Sequence, residues 1–269
     1  MAVDGVVLDA DRVFINVGGR ALIPSIPGLD QVPYLTNSSM MDVDFLPPHL
    51  IVLGGSYIGL EFSQVYRRFG SEVTVIELAP RLIAREDEDV SNAMAEFLRE
   101  EGIDVRVDSK VIGMERQRNC IAVKVESTGK IWQVVGTHLL VAIGRRPNTD
   151  DLGLDKAGIA TDPRGYLRVD DQLRTNVPGI WAMGNCNGRG AFTHTSYNDF
   201  EIVAANILDN DQRRVTDRIT AYALYTDPPL GRVGMTEAEV RKAGIPALIS
   251  TMPMEDVSRA FEKGETKAS

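Results

Sequence analysis

The chain has 269 residues, 43% hydrophobic and 25% charged, with a formal net charge of −9 at pH 7. That balance belongs to a soluble globular protein with room for one large domain or two modest ones. It excludes nucleic acid and anionic membrane as partners, because both need basic patches, and Arg67-Arg68, Arg145-Arg146 and Arg213-Arg214 are scattered short pairs.

In chain order, 3–8 and 12–17 read as two strands joined by an Asp-rich turn, the second ending at Gly18-Gly19. Pro24, Pro27-Gly28, Pro33 and Pro47-Pro48 mark an extended linker. The unbroken apolar run 49–53 predicts a buried parallel strand. Ile58, Phe62, Val65 and Phe69 predict the apolar stripe of the next helix, stopped by Gly70. A second strand covers 72–77, and a second helix starts near Glu86, with Val90, Met94, Phe97 and Leu98 inward and Gly102 at its end. Acidic residues in its first turn suit the helix dipole. Alternation over 103–136 predicts a strand and a meander, and 137–143 a closing strand. A loop-rich stretch, 147–178, precedes a strand at 179–183 and a helix over 196–208. From Val215 the pattern changes to a strand at 220–225, Pro228-Pro229, a short helix over 237–243 and a polar tail.

No apolar run approaches the roughly 18 residues of a membrane span. Met1-Ala2-Val3-Asp4 opens no secretory signal, so a cytoplasmic location is expected. Cys120 and Cys186 form neither a disulfide framework nor a CxxC or CxxxxC pair, and both are expected to be packing residues. His49 and His138 open strands without metal-ligand spacing, so no metal site is expected.

Two glycine-rich turns carry the chemistry. The first, Gly54-Gly55-Ser56-Tyr57-Ile58-Gly59, runs from a strand into a helix, where bare backbone N–H groups receive a diphosphate. Gly54 permits the tight turn, and Gly59 lets the helix lie close to the strand. Ser56 takes the place of the usual middle glycine and is small enough to fit beside phosphate. Glu77, 18 residues beyond Gly59, ends the next strand, where a carboxylate accepts from the ribose hydroxyls and repels a 2′-phosphate. NAD is favoured over NADP, with Arg81 and Arg85 leaving NADP open. The second turn, Met183-Gly184-Asn185, is followed by Thr193-His194 and a helix.

With these turns placed, the sequence resembles the class I pyridine nucleotide–disulfide oxidoreductases, most of all their mercuric-reductase-like branch. The resemblance rests on Asn16-Val17-Gly18-Gly19-Arg20, Gly54 through Glu61, Gly144-Arg145-Arg146-Pro147-Asn148, and Gly184-Asn185 with Thr193-His194. It implies an α/β fold: a Rossmann-like NAD(P)-binding domain with a parallel sheet and meander over 46–144, inserted in a partial FAD-binding domain over 1–45 and 145–214, then the start of an α+β dimerisation domain over 215–269. It implies FAD and NAD(P)H as cofactors, and a homodimer in the intact relative. Gly18, Glu61, Gly144, Arg145, Gly184, Asn185, Thr193 and His194 join the first turn and Glu77 as cofactor-binding positions.

Tyr57 resembles the ring that covers the flavin's nicotinamide face and swings aside; an ordinary packed tyrosine is the alternative. Glu61 is expected either to pair with a lysine near the flavin or to sit partly exposed at a domain seam. Asn185 replaces the aspartate that holds the ribityl hydroxyls, and the Thr193 helix would point its N-terminus at the flavin pyrimidine. His194 is expected to cap or pack. Asp199-Phe200 stands where the family has Glu-Gly, with no consequence readable from sequence. The family's first FAD fingerprint, redox CxxxxC and C-terminal His–Glu pair do not occur, so the chain reads as a fragment, truncated at both ends and incomplete for catalysis. A non-catalytic nucleotide-binding or assembly module is the alternative, whereas a single-cofactor dehydrogenase leaves the second turn without a role.

Overall fold

The structure is a computed structural model that describes residues 2–3, 5–264 and 266. A small hairpin, β1 (Ala2–Val3) and β2 (Val6–Val7), precedes β3 (Val13–Ile15) and β4 (Gly19–Ala21). Then come β5 (His49–Leu53), α1 (Tyr57–Arg68), β6 (Glu72–Ile76), α2 (Glu88–Glu100) and β7 (Asp104–Arg106). The meander is β8 (Lys110–Gln117), β9 (Cys120–Ser127) and β10 (Lys130–Gly136), closed by β11 (His138–Val141). After β12 (Arg145–Pro147) and β13 (Ile180–Ala182) follow α3 (Thr193–Leu208), β14 (Ala221–Leu224), β15 (Leu230–Val233), α4 (Glu237–Lys242) and α5 (Ser258–Lys263).

The chain divides into two compact units, 1–20 with 145–219 and 21–144 with 220–269. The larger unit is built on a four-stranded parallel sheet in the order β11-β5-β6-β7. Its central strands are apolar on both faces because both faces are covered. On one side Leu50, Val52, Leu60, Val73, Val75, Met94 and Leu98 pack together; on the other, Ile51, Leu53, Ile76, Leu139 and Val141 meet Ile121, Val123 and Val125 of the meander. Leu29, Val32 and Met40 of the Pro-rich stretch are buried in the same unit, and Leu224 of β14 is fully buried against the α-helical side.

Two sequence expectations are corrected here. The buried face of α1 is Gly59, Leu60, Ser63, Gln64 and Tyr66, while Val65 and Phe69 are 44% and 69% exposed. Ser63 and Gln64 are buried because each has a partner: Ser63 Oγ donates to Gly59 O at 2.6 Å, and Gln64 exchanges two 2.8 Å bonds with the Asp227 backbone. Helix α2 begins at Glu88, and Glu86 is turned into the interior, 1% exposed.

Asp87 occupies the N-cap position of α2, yet its carboxylate serves α4, accepting from the Glu237 and Ala238 N–H groups at 3.0 Å. Partial burial alone would raise its pKa, but those two N–H groups and Arg232 hold it below the usual carboxylate value. A depressed folded value means that this contribution is complete above the unfolded value of about 3.9 and is lost as pH falls through the folded one. The Glu237 and Ala238 amide proton shifts are therefore expected to titrate together with a midpoint below about 3.9, and to stop doing so in Asp87→Asn. A midpoint at or above that value contradicts the assignment.

The smaller unit pairs β3 with β13 in parallel and β4 with β12. Its core is Ile15, Val17, Ile159, Leu167, Ala182 and Cys186 on one side and Leu173, Met183, Ile202 and Val203 on the other. Among the described residues, no helix is long and apolar enough to cross a membrane.

Candidate functional site

In the larger unit, β5 ends at a turn that only glycine can make. Gly54 has φ 110°, and a Cβ there would lie 2.5 Å from the Ala142 carbonyl oxygen. A Cβ on Gly59 would collide with the Gly54 carbonyl and press on Val52, so α1 sits flush against the strand. Ser56 is the N-cap residue, exposed, and its hydroxyl makes no capping bond. No side-chain cap closes the first turn of this twelve-residue helix, and its positive dipole end suits an anion. Ile58 is half-buried and packs against the sheet.

Glu77 stands just past β6. Its Oε2 accepts the Gly55 N–H at 2.5 Å, and its Oε1 accepts the Ala79 N–H at 2.7 Å. The carboxylate is thus fixed beside the glycine turn. Gly54, Gly55, Ser56, Tyr57, Ile58, Gly59 and Glu77 come together at the carboxyl end of the sheet, where ligands bind in open α/β folds. Arg81 is directed elsewhere: its guanidinium donates to the Ala84 and Glu86 carbonyls at 3.2 Å. Gly144, at φ 139°, closes this unit with its carbonyl on the Leu22 N–H at 3.0 Å.

Tyr57 opens α1, and its hydroxyl donates to Glu86 Oε1 at 2.6 Å. Burial, first of all, and then the hydrogen bond to Glu86 push this phenol's pKa well above the ordinary value. Glu61, half-buried one turn on, accepts the Tyr225 backbone N–H at 2.9 Å.

In the smaller unit, Gly18 (φ 65°) accepts the Asn148 N–H at 3.1 Å, and Arg145 donates to the Gly19 carbonyl. Gly184 begins a tight turn, Gly184–Asn187, after β13. The residue that holds this turn is Asp199 of α3, which sequence reasoning left without a role. Its Oδ2 accepts the Gly184 N–H and Asn187 Nδ2, each at 2.8 Å, while Arg218 binds its Oδ1. Asp199 is fully buried. The signal for it was available: an acid on the helix stripe that also holds Thr195, Ile202 and Val203.

Asn185 is half-buried in the turn. Cys186 is buried, its thiol donating to Met183 O at 3.1 Å, and burial pushes its pKa up, away from a reactive thiolate. Thr193 and His194 open α3 on its exposed side, with the His194 ring stacked 5.4 Å from Phe192. Helix α3 has no side-chain cap at this end, where its dipole is positive.

The sequence profile described as pyridine nucleotide-disulphide oxidoreductase matches residues 2–199, and that described as its dimerisation domain matches 220–269. The chain is 36% identical over 262 residues to the probable pyridine nucleotide-disulfide oxidoreductase RclA of Escherichia coli, covering 97% of this chain and 58% of that protein. It is 36% identical to the mercuric reductase of Streptomyces lividans (97% and 55%) and 34% identical to the dihydrolipoyl dehydrogenase of Thermus scotoductus (81% and 48%). Among solved structures, the Cu(II) complex of the HOCl-induced flavoprotein disulfide reductase RclA from Escherichia coli superposes with a TM-score of 0.87 at 36% identity (95% and 59%). LpdA from Mycobacterium tuberculosis gives 0.86 at 28% identity (96% and 56%). The chain spans about half the length of the curated relatives it matches.

Proposed function

The chain belongs to the pyridine nucleotide-disulphide oxidoreductase family, and from that premise we propose that it supplies the NAD(P)H site and part of the FAD site of an enzyme reducing a disulfide or a metal ion. The acceptor class follows the names of its relatives, a disulfide reductase, mercuric reductases and dihydrolipoyl dehydrogenases. The chemistry the two cofactors bring when bound is hydride transfer from reduced nicotinamide to flavin.

The observation that carries this reading is the Gly54–Gly59 turn with Glu77 locked beside it by the Gly55 N–H. Residues 46–144 serve as the NAD(P)-binding domain. In them the turn and the first N–H groups of α1 hold the diphosphate, and Glu77 takes the adenosine ribose. Ser56, exposed and not engaged in capping, has a hydroxyl to give to phosphate. Residues 1–45 and 145–214 contribute to the flavin site, with Gly18, Arg145, Gly184, Asn185, Thr193 and His194 at it. Asn185 keeps hydrogen bonding to ribityl hydroxyls but lacks the charge that would strengthen it. The segment 215–269 belongs to a homodimer contact.

NAD is preferred to NADP in this reading. A carboxylate fixed at the ribose repels a 2′-phosphate, and Arg81, bonded to the Ala84 and Glu86 carbonyls, is committed away from it. Calorimetric titration is expected to give tighter binding for NADH than for NADPH. Glu77→Ala is expected to weaken NADH binding by roughly tenfold or more, the worth of a charged hydrogen bond, while sparing NADPH. Equal or reversed preference in the unaltered chain refutes the role given to Glu77.

A further inference from the structure

Glu86 carries a carboxylate whose side chain is 0% exposed, and a buried charge persists only with donors on both oxygens. Three side chains supply them. The hydroxyls of Tyr57 and Tyr222 both donate to Oε1 at 2.6 Å. Arg232 donates to Oε2 through Nε at 2.8 Å, with its Nη2 in ion-pair contact with the same oxygen at 2.7 Å and reaching Asp87 at 3.5 Å. Tyr222 and Arg232 are cross-strand partners on β14 and β15, and the Tyr222 ring lies 5.7 Å from that of Tyr57.

Both sides of this cluster are anchored. The Glu86 N–H donates to Ile83 O at 2.8 Å, and its carbonyl accepts Arg81. The hairpin is held by fully buried Leu224 and by the paired bonds between Gln64 and the Asp227 backbone. A phenol tied to a charged acceptor leaves it only at a cost that favours the tied state by about ten- to hundredfold.

We propose that the β14–β15 hairpin aims Tyr57: Tyr222 and Arg232 are positioning residues that hold the Glu86 carboxylate where it fixes the Tyr57 hydroxyl. Docking of the segment matched by the dimerisation profile thereby sets how the ring beside the glycine turn is turned. Only the consequence for nicotinamide rests on the reading of Tyr57 as the ring in front of the flavin; the fixing of the hydroxyl does not.

The test places 3-fluorotyrosine at position 57 of the full chain and records its ¹⁹F spectrum, with Trp132 emission as the check on folding. One sharp resonance is expected in the unaltered sequence. Arg232→Met, which leaves the Glu86 carboxylate without the guanidinium on its Oε2, is expected to let that carboxylate move or take up a proton, seen as a shifted or broadened signal from position 57. Tyr222→Phe, which keeps the ring and the fold, is expected to move it in the same direction, and Arg232→Lys to restore part of the original signal. A resonance that stays put in Tyr222→Phe and in a folded Arg232→Met overturns the proposal. NADH association kinetics on the same variants separate the two readings. A moved resonance with unchanged kinetics supports the fixing of Tyr57 and retires its role as a nicotinamide gate.

Discussion

Asp199→Ala is expected to cost the smaller unit about 3–5 kcal/mol, the range for removing one partner of a buried ion pair. Three groups each lose an acceptor at once: the Gly184 N–H, Asn187 Nδ2, which keeps the Ala182 carbonyl, and the Arg218 guanidinium, only 15% exposed, which keeps Asn198 Oδ1. The last is the expensive one, since a buried guanidinium without its carboxylate keeps the desolvation cost and loses the return. Urea unfolding followed by Trp181, which lies on β13 next to the turn, reads this directly in a Trp132→Phe background. Asp199→Asn should fall between the two, because an amide oxygen accepts one of these bonds but answers no charge. A loss below about 1 kcal/mol would mean that Arg218 finds water or another acceptor when Asp199 is gone.

Gly59→Val is the second large effect. The new side chain would drive into the Gly54 carbonyl and the Val52 side chain, so α1 must lift from β5. Overpacking of this kind costs about 1–3 kcal/mol. The same displacement pulls the first-turn N–H groups away from the diphosphate position, and NADH affinity is expected to drop at least tenfold. Gly231→Ala is the control, for a Cβ there meets open space. Retained affinity in Gly59→Val would remove the glycine turn from the binding site.

The sheet, its glycine turn and Glu77 were readable because their causes are local. A strand buried on both faces shows as an unbroken apolar run, and a strand-to-helix turn shows as glycines at fixed offsets. Polar residues that find partners far along the chain were not readable. Glu86 looks like a first-turn helix acid until Tyr222 and Arg232 arrive from 136 and 146 residues away. Asp199 looks like a family departure until Gly184 and Arg218 close on it. The stripe on α1 departs from its apolar spacing for the same reason: Gln64 is buried by its bonds to Asp227, a contact 163 residues long, while Val65 and Phe69 are left facing out. Glu61 likewise shows its partner, the Tyr225 backbone, only in three dimensions.

Leu224 seated in the sheet's core has a practical consequence for anyone dissecting this protein. Excising 46–144 as a free-standing nucleotide binder would open a leucine-sized hole over α1 and α2, and would strand the Glu86 charge with no guanidinium. A minimal piece must therefore start at Ala21, so as to keep Leu29, Val32 and Met40, and carry a short downstream stretch, through Arg232, stitched back on by a linker. Two regions widely separated along the polypeptide form one indivisible folding block.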